Sequence, residues 1–153
     1  MVDIPLIWPK YAYKTKDQQG KPFIFDPLRK KFVTLSPEEW VRQHVLHYLV
    51  EIKNYPKGLI RVESGLDFNS MKKRSDILVS DSEGKPFILV ECKAPSVPLN
   101  QSTLNQASRY NFKYKAPILM VTNGLAEFTF QIFWEEEKTE RISEIPNYFR
   151  IQE

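Results

Sequence analysis

Arg74-Ser75-Asp76-Ile77-Leu78-Val79-Ser80, Asp81-Ser82-Glu83-Gly84-Lys85 and Pro86-Phe87-Ile88-Leu89-Val90-Glu91-Cys92-Lys93 form one continuous stretch of the chain. Two short apolar runs rich in β-branched residues flank a polar segment containing glycine, the pattern of a β-hairpin. A turn centred on Glu83-Gly84 sets Asp76 opposite Glu91, Ile77 opposite Val90 and Leu78 opposite Leu89. Facing carboxylates repel across a ladder. A hard divalent cation shared between them removes that cost and supplies chemistry. Lys93 lies two residues beyond Glu91, so the pleat returns it to the same face. Cys92 takes the opposite face and reads as a small core residue.

The neighbouring segments supply a frame for this hairpin. Ser36-Pro37-Glu38-Glu39 is a helix start, with Ser36 as N-cap, Pro37 in the first turn and Glu39 as the return half of a capping box. The helix is expected to run to about Lys53, burying Val41, Val45, Tyr48, Leu49 and Ile52. Glu38, outside the capping box, lies at the end of that buried stripe, where its carboxylate either points towards the sheet or complements the helix N-terminus. Residues 58–63 read as a strand. After the hairpin, Asn100 or Ser102 caps a helix reaching about Lys113. Gln106 and Tyr110 share one of its faces and follow closely on Glu91 and Lys93. Residues 117–122 read as a buried central strand, Asn123-Gly124 as a turn, and residues 127–134 as an outer strand.

Towards the N-terminus, residues 21–35 read as a second small hairpin, and 1–20 as an irregular aromatic arm. Residues 139–153 form a C-terminal strap. The expected architecture is α/β: a mixed central sheet of four to five strands flanked by helices, with residues 1–153 as one domain and 22–135 as its core.

Composition bounds the function classes. The chain has 153 residues, 42% apolar and 27% charged, and no apolar run that could span a bilayer. A single cysteine excludes an internal disulfide and a cysteine-built zinc site. The start Met1-Val2-Asp3-Ile4-Pro5 lacks the pattern of a secretory signal, so a cytoplasmic location is the expectation. The net charge is only +3, but basic residues cluster at Arg29-Lys30-Lys31, at Lys72-Lys73-Arg74 and at Arg109, Lys113 and Lys115. No Gly-x-x-x-x-Gly-Lys-Ser/Thr occurs, so no nucleotide cofactor is expected.

Arg74-Ser75-Asp76, Val90-Glu91-Cys92-Lys93-Ala94-Pro95 and Gln106-x-x-x-Tyr110 resemble the PD-(D/E)XK nuclease superfamily. More narrowly, they are similar to the N-terminal nuclease domain of type I restriction enzyme R subunits. The Pro37–Gln43 helix start and Thr122-Asn123-Gly124 share that likeness, which covers roughly residues 22 to 135. Ser75 stands where the superfamily usually has proline.

The resemblance implies a restriction-endonuclease-like fold and Mg²⁺-dependent hydrolysis of DNA, with Mn²⁺ able to substitute. Asp76 and Glu91 would hold the metal, and Lys93 would position the attacking water and steady developing charge. Gln106 and Tyr110 would be accessory residues. Glu38 would be a further contributor to the metal site, with Glu39 as the alternative. Arg42, Lys73 and Arg74 would contact DNA phosphates. Such a domain would act as a homodimer or with a separate motor or specificity protein. The competing expectation is a catalytically inactive relative that binds nucleic acid or a partner protein through the same groove.

Overall fold

The computed structural model describes residues 4–66 and 73–149. Two sheets and two helices are present among them. A three-stranded antiparallel sheet comprises β1 (Thr15–Gln18), β2 (Lys21–Asp26) and β3 (Lys31–Thr34). Helix α1 (Pro37–His47) follows, extended by one wider π-helical turn over Tyr48–Ile52. The main sheet is formed by β4 (Ile60–Leu66), β5 (Lys73–Ser80), β6 (Pro86–Cys92), β7 (Ile118–Thr122), β8 (Glu127–Phe133) and β9 (Lys138–Ile142), in that spatial order. Helix α2 (Gln101–Asn111) crosses from β6 to β7. Those two strands are parallel and all other neighbours antiparallel. A parallel pair needs such a crossover, because a tight turn cannot reverse the chain twice.

The hairpin register is the expected one: Asp76 pairs with Glu91, Ile77 with Val90 and Leu78 with Leu89. A register shift at Val79/Ser80 then brings Ser80 opposite Pro86. It lies at the turn end of the ladder and leaves the Asp76 end in register. The turn is held by Asp81 Oδ1, which accepts from the backbone N–H groups of Glu83 and Lys85.

Strand alternation divides the core into two layers. Ile77, Val79, Ile88, Val90, Ile118 and Met120 face α1 and meet Val41, Val45 and Leu49. Leu78, Leu89, Leu119 and Val121 face α2 and meet Ala107. By the same parity, Asp76 and Glu91 belong to the α2 side.

The sequence reading differs from the structure at the periphery. Strand β9, not β8, is the outer strand, and the main sheet has six strands rather than four or five. All of β9 but Lys138 lies in the region read as a strap, 139–153. Its mainly charged and polar side chains hide the strand signal, and pairing with β8 supplies it. Likewise β1 emerges from the expected irregular arm because β2 offers it a free edge. Of the described remainder of the arm, Ile4, Tyr11 and Tyr13 meet α1, and Leu6 and Ile7 meet the turn after β7. The Ile7 N–H donates to the Gly124 carbonyl at 2.8 Å. Gly124 has φ +84°, a backbone conformation that favours glycine, and a Cβ there would also press on Leu6 Cδ2 at 2.7 Å.

Candidate active site

Asp76 and Glu91 are both buried, at 0% and 6% exposure, on adjacent central strands. Leu78, Leu89 and Val121 lie beneath them on the same face and exclude water from below. Lys93 continues the parallel ladder one step past β6, its N–H donating to the Thr122 carbonyl at 2.8 Å. Its Nζ stands 3.2 Å from Glu91 Oε1 and remains partly exposed. Glu91 Oε2, by contrast, is buried and receives no hydrogen bond. A carboxylate oxygen held out of water without a donor is costly, and sites that tolerate this cost are commonly ion or ligand sites. Cys92, between Glu91 and Lys93 in sequence, is buried in the α1 layer, where burial pushes its thiol far above the ordinary range. It is therefore inert as a nucleophile.

Helix α1 separates its two N-terminal carboxylates. Ser36 Oγ accepts from the Glu39 N–H at 3.0 Å, so the cap forms as expected. The return half of the capping box does not form. Glu39 instead accepts from Arg42 Nη1 at 2.6 Å, Gln43 Nε2 at 2.9 Å and Arg29 Nη2 at 3.3 Å. Asp26 joins this buried network through Arg29 and Gln43. Two of the donors to Glu39 lie one helical turn away on α1 itself, and the third is tertiary: the turn after β2 brings Arg29 against the helix.

Glu38 turns the other way. Burial raises its carboxyl above the ordinary value, Arg42 and Lys93 pull it down, and Glu39 and Glu91 push it up. Glu38 thus lies within electrostatic reach of both Lys93 and Glu91. An acid whose folded value is raised binds its proton more tightly in the fold than in the unfolded chain. Stability is then lost as pH climbs above the ordinary value of 4.5. Glu38→Gln is accordingly expected to raise the melting temperature at pH 7 and to leave it unchanged well below pH 4.5. A lower melting temperature at pH 7 would remove this account.

The other expected site residues fall into three groups. Tyr110 is half-buried in the α2 layer, its hydroxyl 3.3 Å from that of Tyr114. Gln106 lies one turn away on α2 and is exposed. Arg42 is 5% exposed and ion-paired to Glu39, which corrects the expectation that it contacts DNA. Its place on the buried face of α1 withdraws it from solvent. Lys73 and Arg74 belong to β5, but their side chains lie outside the described residues, as does Lys72.

Sequence reasoning located the Asn123-Gly124 turn but not its bracing. Asn123 Nδ2 donates to the Val97 carbonyl at 2.8 Å, while Oδ1 accepts from the N–H groups of Leu125 and Ala126. The loop leaving Lys93 is thereby tied to the end of β7. The turn chemistry of Asn is readable from sequence. Its long-range partner is not.

Among the described residues no group of three or more His, Cys, Asp or Glu side chains gathers as a metal cage. Two carboxylates fit an ion that retains several waters and takes further oxygens from a bound phosphate, which is the habit of Mg²⁺. They do not fit structural zinc, which takes four protein ligands.

The mixed sheet with its crossover helix has counterparts among known proteins. Residues 37–146 match the family described as Type I restriction enzyme R protein N terminus (HSDR_N), and the chain belongs to that family. The match runs from α1 past β9 and includes Asp76, Glu91 and Lys93; β1–β3 lie before it. Among solved structures, the chain is similar to a fragment assigned as an HsdR subunit of a type I restriction enzyme from Vibrio vulnificus YJ016. The TM-score is 0.52 at 17% identity, over 74% of this chain and 24% of that one. This likeness establishes a shared fold, and the chain spans about a quarter of that structure. No curated protein matches. No helix among the described residues is long and apolar enough to cross a membrane.

Proposed function

We propose that the chain is a Mg²⁺-dependent DNA endonuclease domain of the PD-(D/E)XK type, working in restriction. The observation that carries this reading is Glu91. One of its oxygens meets the Lys93 ammonium, the other is buried without a donor, and Asp76 stands opposite in register. Family membership supports a restriction-related role.

Asp76 and Glu91 would hold the ion, which when bound supplies Lewis-acid activation of water and of the scissile phosphate. Lys93, partly exposed beside Glu91, directs its ammonium N–H groups towards the phosphate oxygens, where negative charge grows in the transition state. Thr122 and Asn123 help to position that ammonium by fixing the backbone at Lys93 and at Val97 in the loop that follows it. Glu38 on α1 would act from the edge of the site through its charge, within electrostatic reach of Glu91 and Lys93 but outside the carboxylate pair. Tyr110 and Gln106 line the approach from α2, and Lys73 and Arg74 are well placed in sequence to meet the DNA backbone.

The HsdR relative is described as a subunit. By analogy this domain would act on DNA in company, either as a homodimer or with a separate motor or specificity protein, in the cytoplasm. Supercoiled plasmid tests the reading. Nicking should appear with Mg²⁺ or Mn²⁺, vanish with a chelator, and fall about 10²–10³-fold in Lys93→Ala, the usual effect of losing one electrostatic stabiliser. Chelator-resistant nicking, or full activity in Lys93→Ala, would refute it. Metal-independent DNA binding with no cleavage would instead favour the inactive relative.

A further inference from the structure

The three-stranded sheet lies outside the family match, and its outward face has an unusual composition. Strand parity puts Ile24 and Asp26 inwards, where they are buried. Phe23 and Phe25 therefore point outwards, joined by Phe32, which pairs with Phe25. On β1 and the residue before it, Lys16 and Lys14 share that face: Lys16 pairs with Phe23, and the Lys14 carbonyl accepts from the Phe25 N–H. Lys14, Lys16 and Lys21 are exposed, and Phe32 is 36% exposed.

The rings and ammonium groups interleave. Phe25 and Phe32 meet edge-to-face at 5.3 Å, Lys16 Nζ stands 4.4 Å from the Phe32 centroid, and Lys14 Nζ 5.9 Å from that of Phe25. Asp17 and Asp26, the carboxylates of these strands, have the opposite parity. Charge is concentrated here as well. Residues 10–31 hold seven Lys or Arg against two Asp, a net of +5, whereas the whole chain carries only +3.

A solvated antiparallel sheet face is ordinarily polar. Three aromatic rings among lysines, with no carboxylate on that face, are what a single-stranded nucleic acid requires: π-faces for splayed bases and cations for the phosphates. A duplex keeps its bases stacked inside and cannot use the rings. An acidic peptide could use the lysines and would leave the phenylalanines idle. We infer that the outer face of β1–β3 is a second nucleic-acid site, which takes single-stranded DNA or RNA by stacking on Phe23, Phe25 and Phe32 and by phosphate contacts to Lys14, Lys16 and Lys21. It rests on observations separate from the carboxylate site.

The test uses the full chain in chelator, so that no cleavage intervenes, and a labelled oligothymidylate of about 12 nucleotides, within the usual site size. Anisotropy should show tighter binding to this strand than to a duplex of equal length, weakening as salt rises. Phe32→Ala should weaken strand binding roughly 5- to 100-fold, the range for losing one stacking ring. The double variant Lys16→Glu, Lys21→Glu changes only exposed side chains, and should lower both the affinity and the salt dependence. Circular dichroism checks that each variant is folded.

Equal binding of strand and duplex, with Phe32→Ala without effect, overturns the inference. So does preference for polyglutamate over the oligonucleotide. Plasmid nicking in Mg²⁺ reads the carboxylate site independently, so either proposal can fail while the other stands.

Discussion

Asp76→Asn is expected to abolish metal-dependent cleavage, by about 10³-fold or more, without unfolding the protein. Asparagine preserves the volume of a fully buried side chain and removes its charge. A metal ligand at this position stabilises transition-state charge by several kcal/mol, and each 1.36 kcal/mol is a factor of ten in rate. A second readout does not depend on activity. An ion that binds only the folded state raises the melting temperature in proportion to the logarithm of its concentration. Wild type should therefore be stabilised by millimolar Mg²⁺ or Mn²⁺, and Asp76→Asn should not. Cleavage that survives in Asp76→Asn, or an equal metal-induced shift in both proteins, would dismiss Asp76 as a ligand.

The second large effect concerns stability and lies away from the site. Asp26 is fully buried and accepts from the N–H groups of Leu28 and Arg29, from Arg29 Nε at 2.5 Å and from Gln43 Nε2 at 3.1 Å. Asp26→Ala strands all of these donors, together with the charge on Arg29. Breaking a buried pair from one side costs about 3–5 kcal/mol, which for a chain of this length lowers the melting temperature by roughly 10 °C.

The pH dependence has a definite sign. Burial alone would raise the Asp26 carboxyl. The Arg29 backbone N–H, its guanidinium and the Gln43 amide outweigh burial and hold it below the ordinary value of 3.8. A depressed acid contributes stability that is present above the ordinary value and lost as pH falls through the folded one. The gap in stability between wild type and Asp26→Asn should accordingly be full at pH 7 and shrink below pH 3.8. A gap that stays constant across that range would show that the carboxylate charge is not what the network uses.

The two effects are linked through α1. Arg29, held by Asp26, donates to Glu39 in the buried network, whereas Glu38 lies within electrostatic reach of Glu91 and Lys93. The three-stranded sheet thus has a structural role on its inner face, whatever its outer face binds. A modest loss of cleavage in Asp26→Ala would follow from displacement of α1, and chemical denaturation would separate this from direct chemistry.

Where the determining interactions are local, the amino-acid order alone was enough. Alternation with period two and a glycine-containing turn set the β5–β6 register, and with it the pairing of Asp76 with Glu91 and the place of Lys93 on their face. The Ser36 cap and the buried stripe of α1 were legible for the same reason: a helix is specified by neighbours three and four residues apart. Only the tertiary structure decided which partners distant segments would offer. Glu39 left its capping box for Arg42 and Gln43 on its own helix, and the fold added Arg29 from the turn after β2. Arg42 went inwards, and the polar segments β1 and β9 became strands because β2 and β8 presented open edges. Asn123 found Val97 across the sheet. Apart from the Arg42 and Gln43 contacts within α1, these outcomes join groups far apart along the chain, and no periodicity in the sequence records such contacts.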